Sequence, residues 1–402
     1  MEVSDAKCLK VHKAATRNDR NVFPRLDSID CLRGLVMVVM ALDHTRDFFG
    51  VGGLSPRDVA DPALFLTRWI TNFCAPIFIL VAGASAYLYG TRQQHTADIS
   101  RFLITRGLWL IVLEFTIIQL GWTFGIEFTF FNMQVIWAIG ASMVALAGLV
   151  RLPLTAICMI GICMIAGHNL FDGIHASDLG SAGWSWNILH EPTVLTLGPR
   201  LKLRFLYPLV PWIGVMAVGY ALGPTFRRPQ EERRRFFIGV GAAITFGYLI
   251  LRLSNTYGDP SPWTVQERTL STLLSMLNVE KYPPSLLYLM MTLGPGLLLL
   301  AAFEDARGRL ATWITTFGRV PLFYYVTHIF LIHAIAIMVA SVLRGDASWL
   351  FGAPTANKPT VWGFGLPIVY AVWLLTVVGL YPICRWFAGV KRRRNDWWLS
   401  YL

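Results

Sequence analysis

Ten apolar segments, each near the length of a membrane-crossing helix, recur along this 402-residue chain. A helix needs about 20 apolar residues to cross the hydrocarbon core of a bilayer. Only 15% of the residues are charged, against about 25% in soluble domains. The pattern therefore predicts an all-α, polytopic membrane helix bundle with about ten transmembrane helices. The segments lie near residues 30–50, 64–90, 102–124, 134–150, 153–171, 205–225, 236–253, 283–303, 319–343 and 366–387.

The distribution of basic residues predicts the orientation of this bundle. Clusters of Lys and Arg lie within residues 7–20, 227–235 and 391–394. Placing the amino terminus in the cytoplasm puts most of the Lys and Arg on the cytoplasmic side, as the positive-inside rule requires. Both termini are thus predicted to be cytoplasmic. The same rule accounts for the net charge of +11, so membrane lipid is the expected partner and nucleic acid is not.

The amino-terminal lead and the cysteines set the domain organisation. Residues 1–24 are polar and basic and lack a short apolar core before a cleavage site, which predicts a disordered cytoplasmic lead. Residues 25–402 are expected to form a single transmembrane domain. The six cysteines include no CxxC pair, so neither a disulfide framework nor a zinc site is indicated.

The first apolar segment is unusual because it carries several ionisable residues. It reads RLDSIDCLRGLVMVVMALDHTRDFF over residues 25–49. Arg33 and His44 lie about three helical turns, or roughly 16 Å, apart on one face. Ionisable groups at membrane depth are costly and usually face a cavity, so each suggests a functional site. Alternatively, Arg33 extends to the cytoplasmic headgroups while His44 and Asp47 lie in the outer interface.

The spacing of His44 and Asp47 is typical of a histidine base. A carboxylate three residues along the helix can accept a hydrogen bond from one ring nitrogen and leave the other free. Asp43, on a different side of the helix, is the alternative partner. The predicted catalytic residues are therefore His44, Asp47 and Asp43.

Polar residues on other segments are candidates for binding an acceptor at the outer side. Arg68 and Asn72 are four residues apart and share a face of the second segment. Arg68 either pairs with Asp43 or Asp47 or binds substrate. The further candidates are Lys281, just before the eighth segment, and His328, one turn after Tyr324 on the ninth. No His, Cys or carboxylate set has metal-ligand spacing on one helix, so no metal is predicted.

Two outer connections, near residues 172–204 and 254–282, are long. The second contains ERTLSTLLSMLN, whose leucines recur at helical spacing and predict a short helix on the membrane surface. These connections are expected to form either a lid over the site or a structural cap.

Several stretches of the chain resemble one family of membrane proteins. RLDSIDCLRGLVMVVMALDH, ITNFCAPIFILVAGASAYLYG, KYPPSLLYLMMTLGP and GRVPLFYYVTHIFLIH resemble the heparan-alpha-glucosaminide N-acetyltransferase-like family, in particular its uncharacterised bacterial members. An Arg, ten residues and a His, here Arg33 and His44, also resemble the pattern of bacterial membrane acyltransferases that modify surface polysaccharides. The family's histidine lies in the loop after the first segment, whereas this chain has no histidine between Thr45 and Gln94. His44 is therefore supported by its chemistry and by the polysaccharide-acyltransferase pattern.

The resemblance implies a multi-pass enzyme, expected in a bacterial inner membrane, that takes acetyl-CoA from the cytoplasm and acylates a sugar or glycan on the other side. Cytoplasm-facing cations would hold the coenzyme A phosphates, and Arg33, Arg106 and Arg319 are the candidates. His44 would act as a base or carry the acyl group, and both routes stay open. A proton-coupled permease for small solutes and a scaffold without turnover are the alternatives. The oligomeric state, a homo-oligomer included, is left open.

Overall fold

The computed structural model of the chain describes residues 27–93, 95–126, 129–198, 201–352, 354, 357–394, 396 and 399. The predicted lead at residues 1–24 lies outside the described residues. Within them the chain is mainly helical, and helices cover each of the apolar segments. The prediction of a polytopic membrane helix bundle is confirmed.

The helices and strands have the following bounds. The α-helices are α1 (Asp27–Phe49), α2 (Pro62–Thr71), α3 (Cys74–Gly90), α4 (Thr96–Leu113), α5 (Gln119–Thr123), α6 (Val135–Leu149), α7 (Leu154–Gly167), α8 (Gly183–Leu189), α9 (Leu209–Ala221), α10 (Gln230–Ser254), α11 (Thr269–Leu277), α12 (Leu286–Phe303), α13 (Arg309–Arg319), α14 (Pro321–Arg344) and α15 (Leu366–Arg393). A π-helical turn, Glu114–Ile118, joins α4 to α5. The strands are β1 (Phe130–Met133), β2 (Thr193–Leu197) and β3 (Leu201–Phe205).

In the described part of the chain, eight helical segments are long and apolar enough to cross a membrane. The protein is therefore an integral, multi-pass membrane protein. The other two predicted spans are also helical: α1 carries several ionisable side chains, and α6 is 15 residues long. The total of ten crossings and the cytoplasmic termini stay predictions. The eight segments are Pro62–Gly90, Thr96–Thr123, Leu154–Phe171, Leu209–Arg227, Gln230–Ser254, Leu286–Phe303, Pro321–Arg344 and Leu366–Arg393.

Helix α1 lies at the centre of the bundle, where it packs against α3, α12, α13, α14 and α15. Its crossing with α13 is close enough to require glycine on both helices. A Cβ on Gly34 would collide with the Ile314 carbonyl oxygen, and one on Gly318 would collide with the Asp30 carbonyl oxygen. Small residues allow this kind of backbone approach between membrane helices. The crossing brings Arg319, at the end of α13, beside the start of α1, where it pairs with Asp27 at 3.1 Å.

A small sheet forms within stretches that the sequence predicts to be irregular connections. Strand β3 pairs with β1 in parallel and with β2 antiparallel, and Asn132 lies opposite Arg204 in the β1–β3 register. β1 has only four residues, and its partner is some 70 residues further along the chain. Strands this short show little alternation, so the sequence pattern did not indicate them.

The predicted short helix in the second long connection is confirmed as α11. Leu274 is buried against the protein, whereas Leu270 and Leu273 remain exposed. The guanidinium of Arg252 holds this connection in place through bonds of 2.9 Å to four backbone carbonyl oxygens. These belong to Ser261, Ser275, Met276 and Asn278.

The carboxylate of Asp259 fixes the end of the same connection. It accepts hydrogen bonds from the Glu280 amide at 2.8 Å and the Ser285 hydroxyl at 2.7 Å. Burial raises the pKa of this carboxyl group. Because these two bonds flank Lys281, they set the position of that lysine at the start of α12.

Candidate active site

Two cavities lie along α1, one near each end of the helix. The larger, of about 510 Å³, is lined by Arg33 and is called the Arg33 cavity. The smaller, of about 230 Å³, is lined by His44 and is called the His44 cavity. Met40, Val135 and Tyr325 line both. The cavities therefore adjoin, and these three side chains form the wall between them.

The Arg33 cavity brings together the three residues predicted to bind the acyl donor. Arg33, Arg106 and Arg319 all line it, and so does Lys391 from the predicted basic tail. Arg33 also donates to the Ser85 hydroxyl and lies 3.5 Å from the Asp30 carboxylate. No Asp or Glu is found among the described residues that line this cavity, so its charge is positive. The remaining lining is largely apolar and includes Met37, Phe78, Ala82, Leu110, Ile136, Ile139, Met143 and Leu322.

The His44 cavity is lined by groups of both charges and by aromatic rings. Asp43, His44 and Asp47 reach it from α1, and Lys281 from the segment before α12. Asn132 and Arg204, opposite each other on β1 and β3, form another part of the lining. The other polar or aromatic lining residues are Thr71, Trp122, Gln134, Tyr207, Tyr282 and Tyr325.

His44 forms a buried pair with His328 of α14. Its Nδ1 lies 2.7 Å from Nε2 of His328, and the planes of the two rings are nearly parallel, 5° apart. His328 Nδ1 in turn lies 2.7 Å from the backbone carbonyl oxygen of Tyr324. The exposed fractions are 7% for His44 and 0% for His328, so water does not compete for these bonds.

This chain of bonds assigns the tautomer of each neutral ring. A carbonyl oxygen only accepts, so His328 Nδ1 must carry a proton and His328 Nε2 must accept. His44 Nδ1 then donates to His328 Nε2. The remaining nitrogen of His44, Nε2, is left with a lone pair, which is the form that a base or a nucleophile requires.

The structure gives the His44 ring a different hydrogen-bond partner, His328, from the Asp47 or Asp43 carboxylate that the sequence predicts. The Asp47 carboxylate lies 2.9 Å from the Arg46 guanidinium, which also pairs with Asp43 at 2.7 Å. The predicted pairing of Arg68 with either carboxylate is replaced by this Arg46 cluster. An i,i+3 spacing places two side chains near each other but does not decide which bond forms when a better donor is adjacent.

Lys358, which lies in the connection before α15, contacts the end of this cluster. Its ammonium group donates to the backbone carbonyl oxygen of Asp47 at 2.8 Å. Burial lowers the pKa of Lys358 to about 8, although the charge of Asp47 opposes the shift.

Of the four residues predicted to bind an acceptor, Lys281 alone is found among the described residues that line the His44 cavity. It is 7% exposed, with Nζ 5.2 Å from the centre of the Tyr282 ring. His328 lies behind His44. Arg68 and Asn72 line neither cavity. The backbone carbonyl oxygen of Asn72 accepts a hydrogen bond from the Tyr288 hydroxyl at 2.8 Å. Acceptor contact by these three residues is therefore not supported by the geometry.

Sequence reasoning did not identify Tyr325, Trp122, Asn132 or Arg204 as site residues. Tyr325 precedes His328 by three residues, so their shared helix face was a usable signal. Asn132 and Arg204 are brought together by strand pairing between distant segments, and the sequence carries no signal for that contact. Trp122 was one of 15 tryptophans, and composition alone did not distinguish it.

Comparison with protein families gives one match. The model described as "Heparan-alpha-glucosaminide N-acetyltransferase, catalytic" matches residues 25–251, which is more than half of the chain. The match includes Arg33, Arg106, Trp122 and His44, while the segment with Lys281, Tyr325 and His328 follows it. Comparison with curated protein sequences gave no match.

Proposed function

The chain belongs to the heparan-alpha-glucosaminide N-acetyltransferase family, a membrane acetyltransferase type, and from this premise we propose a specific reaction. The protein transfers an acetyl group from acetyl-CoA in the Arg33 cavity to a sugar-like acceptor in the His44 cavity. The observation that carries the proposal is the shared wall between the two cavities, with the His44–His328 pair beside it.

The Arg33 cavity suits the acyl donor. Coenzyme A carries phosphate groups at one end and a long, weakly polar arm that ends in the thioester. Guanidinium groups bind phosphates through charge-assisted, often bidentate hydrogen bonds. Arg33, Arg106, Arg319 and Lys391 supply such cations, and the apolar lining accommodates the arm. With this cavity on the cytoplasmic side, the donor enters from the cytoplasm.

The His44 cavity suits a sugar. Aromatic rings, carboxamides and ions of both charges bind a molecule that has apolar ring faces and many hydroxyl groups. Tyr207, Tyr282, Asn132 and Gln134 supply the rings and amides, and Lys281 adds a cation at the side. An acceptor here would be reached from the membrane side opposite to the donor.

The chemistry follows from the tautomers of the pair. In direct transfer, His44 Nε2 takes the proton of the acceptor amine or hydroxyl as this group attacks the thioester carbonyl carbon. The C–S bond breaks, and His44 returns the proton to the leaving thiolate. His328 acts as a positioning residue, because its Nε2 holds the His44 ring and stabilises the imidazolium. Alternatively, His44 Nε2 attacks the thioester carbonyl carbon, the C–S bond breaks and the thiolate leaves. The acceptor then attacks the acyl carbon, the bond to His44 Nε2 breaks, and the acceptor's proton goes to the thiolate.

The test is acyl transfer by the purified full-length chain in lipid nanodiscs, with labelled acetyl-CoA and a panel of amino sugars and glycans. We expect release of free coenzyme A that depends on the acceptor, and its loss in His44→Ala. His95→Ala, at an exposed histidine, is the matched control and should retain activity. A permease would release no coenzyme A. Wild-type turnover in His44→Ala would refute the assignment of His44.

A further inference from the structure

Two buried hydrogen-bond donors near His44 form no hydrogen bond of good geometry to any described residue, although the indole of one lies near the hydroxyl group of the other. They are the hydroxyl group of Tyr325 and the indole N–H of Trp122. Their exposed fractions are 2% for Tyr325 and 8% for Trp122. Buried donors are nearly always satisfied in folded proteins, because leaving one unpaired is costly. Two such donors beside one histidine point to a group that accepts from them during function.

The position of these donors indicates which group that is. Both rings pack edge-on to His44, with centroid distances of 4.8 Å for Trp122 and 5.9 Å for Tyr325. Tyr325 is part of the wall between the cavities, and Trp122 lines the His44 cavity. One of the two donors thus lies in the wall that an acyl group has to cross, and the other lies on the His44 side of it.

An unpaired buried donor is not by itself evidence of a catalytic role. The Tyr324 hydroxyl and the Trp212 indole N–H are also without partners in the described part of the chain. Neither residue is among those that line the two cavities, and the Tyr324 ring instead stacks on His328 and packs edge-on against Phe317. What distinguishes Tyr325 and Trp122 is their place beside His44, and Trp212 supplies a matched control.

We propose that the Tyr325 hydroxyl and the Trp122 indole N–H form an oxyanion hole for the acyl transfer. This inference rests on the proposed function. As the acceptor attacks, the π electrons of the thioester C=O move onto oxygen, and the two donors hydrogen-bond to the negative charge that develops there. When the C–S bond breaks, the carbonyl re-forms and the thiolate takes the proton from His44. Neither donor loses its proton, so both are restored for the next cycle.

The experiment compares Tyr325→Phe and Trp122→Phe with Trp212→Phe in the nanodisc assay. Each change removes one polar group or donor and keeps an aromatic ring. We expect kcat to fall about 100-fold in the first two variants, the loss typical of one oxyanion-hole donor. The KM for acetyl-CoA should change little, because the ground-state carbonyl oxygen is a weaker acceptor than the oxyanion. The Trp212→Phe control should keep its kcat.

Binding of a thioether analogue of acetyl-CoA, measured by calorimetry, separates catalysis from folding. Tyr325→Phe should bind the analogue as the wild type does, whereas a misfolded variant should not. Wild-type kcat in Tyr325→Phe, in a protein that His44→Ala inactivates, would overturn the oxyanion hole alone. A parallel loss of kcat and analogue binding would also overturn it. If the wild type transfers no acyl group, the proposed function and this inference both fail.

Discussion

The Arg33 cavity and the His44 cavity share a wall but little chemistry. The first is about twice as large and combines cations with apolar side chains. The second has carboxylates, amides and aromatic rings around a single histidine pair. A transporter moves one substrate through both ends of its path, so the two ends would be expected to bind the same molecule. Two unlike cavities on one helix instead fit two different ligands that meet at the wall.

The pairing of His44 with His328 gives the sharpest test of the chemistry at this wall. In His328→Phe, the ring volume is kept but Nε2, the acceptor for His44 Nδ1, is removed. We expect kcat to fall about 100-fold, since the tautomer of the base is no longer held. KM for both substrates should change little. Steady-state kinetics over a range of pH values measures this.

A positioning role for His328 predicts one result that a purely structural role does not. His328→Gln keeps a side-chain acceptor, so it should recover part of the kcat lost in His328→Phe. If both variants lose stability together and the recovery is absent, His328 only supports the packing of α14 against α1.

The Arg33 cavity predicts an effect on the donor alone. In Arg106→Gln we expect the KM for acetyl-CoA to rise about tenfold, or about 1.4 kcal/mol, through the loss of one charge-assisted contact to phosphate. The KM for the acceptor should stay the same. Arg101→Gln, at an exposed position on the same helix, is the control. If the KM for the acceptor rises instead, the donor and the acceptor bind in the opposite cavities to those proposed.

The His44 cavity predicts a smaller effect, on the KM for the acceptor alone. Lys281→Met should raise the acceptor KM about threefold, because one hydrogen bond makes a net contribution of about 0.5–1.5 kcal/mol. The KM for acetyl-CoA should stay the same. Lys202→Met, at an exposed position of β3, serves as the control. Equal shifts in both KM values would mean that the two cavities act as one site.

Much of the helical framework could be predicted because lipid imposes it. Segments of about 20 apolar residues leave few alternatives to a helix in a bilayer, and the structure has helices at all ten. The shared helix face of Arg33 and His44 likewise follows from helical periodicity. The convergence of Arg106 and Arg319 on Arg33 could be proposed from their side of the membrane, although their contact with one cavity required the packing of α4 and α13 against α1.

The partners of the site residues could not be predicted in this way. Asp47, one helical turn after His44, was the predicted partner of its ring, yet Arg46 pairs with that carboxylate and His328 pairs with the ring. Strand pairing likewise placed Asn132 opposite Arg204. Both outcomes depend on which faces of distant segments meet.

The sequence by itself determined that this protein is a multi-pass helix bundle with a charged first helix, because hydropathy and helical periodicity are local properties. The tertiary structure alone decided that His44 meets His328, that Tyr325 separates two cavities, and that Lys281 enters one of them. Rotation of each helix about its axis is set by packing against its neighbours. Residues that are far apart in the chain therefore become partners only when the whole bundle has formed.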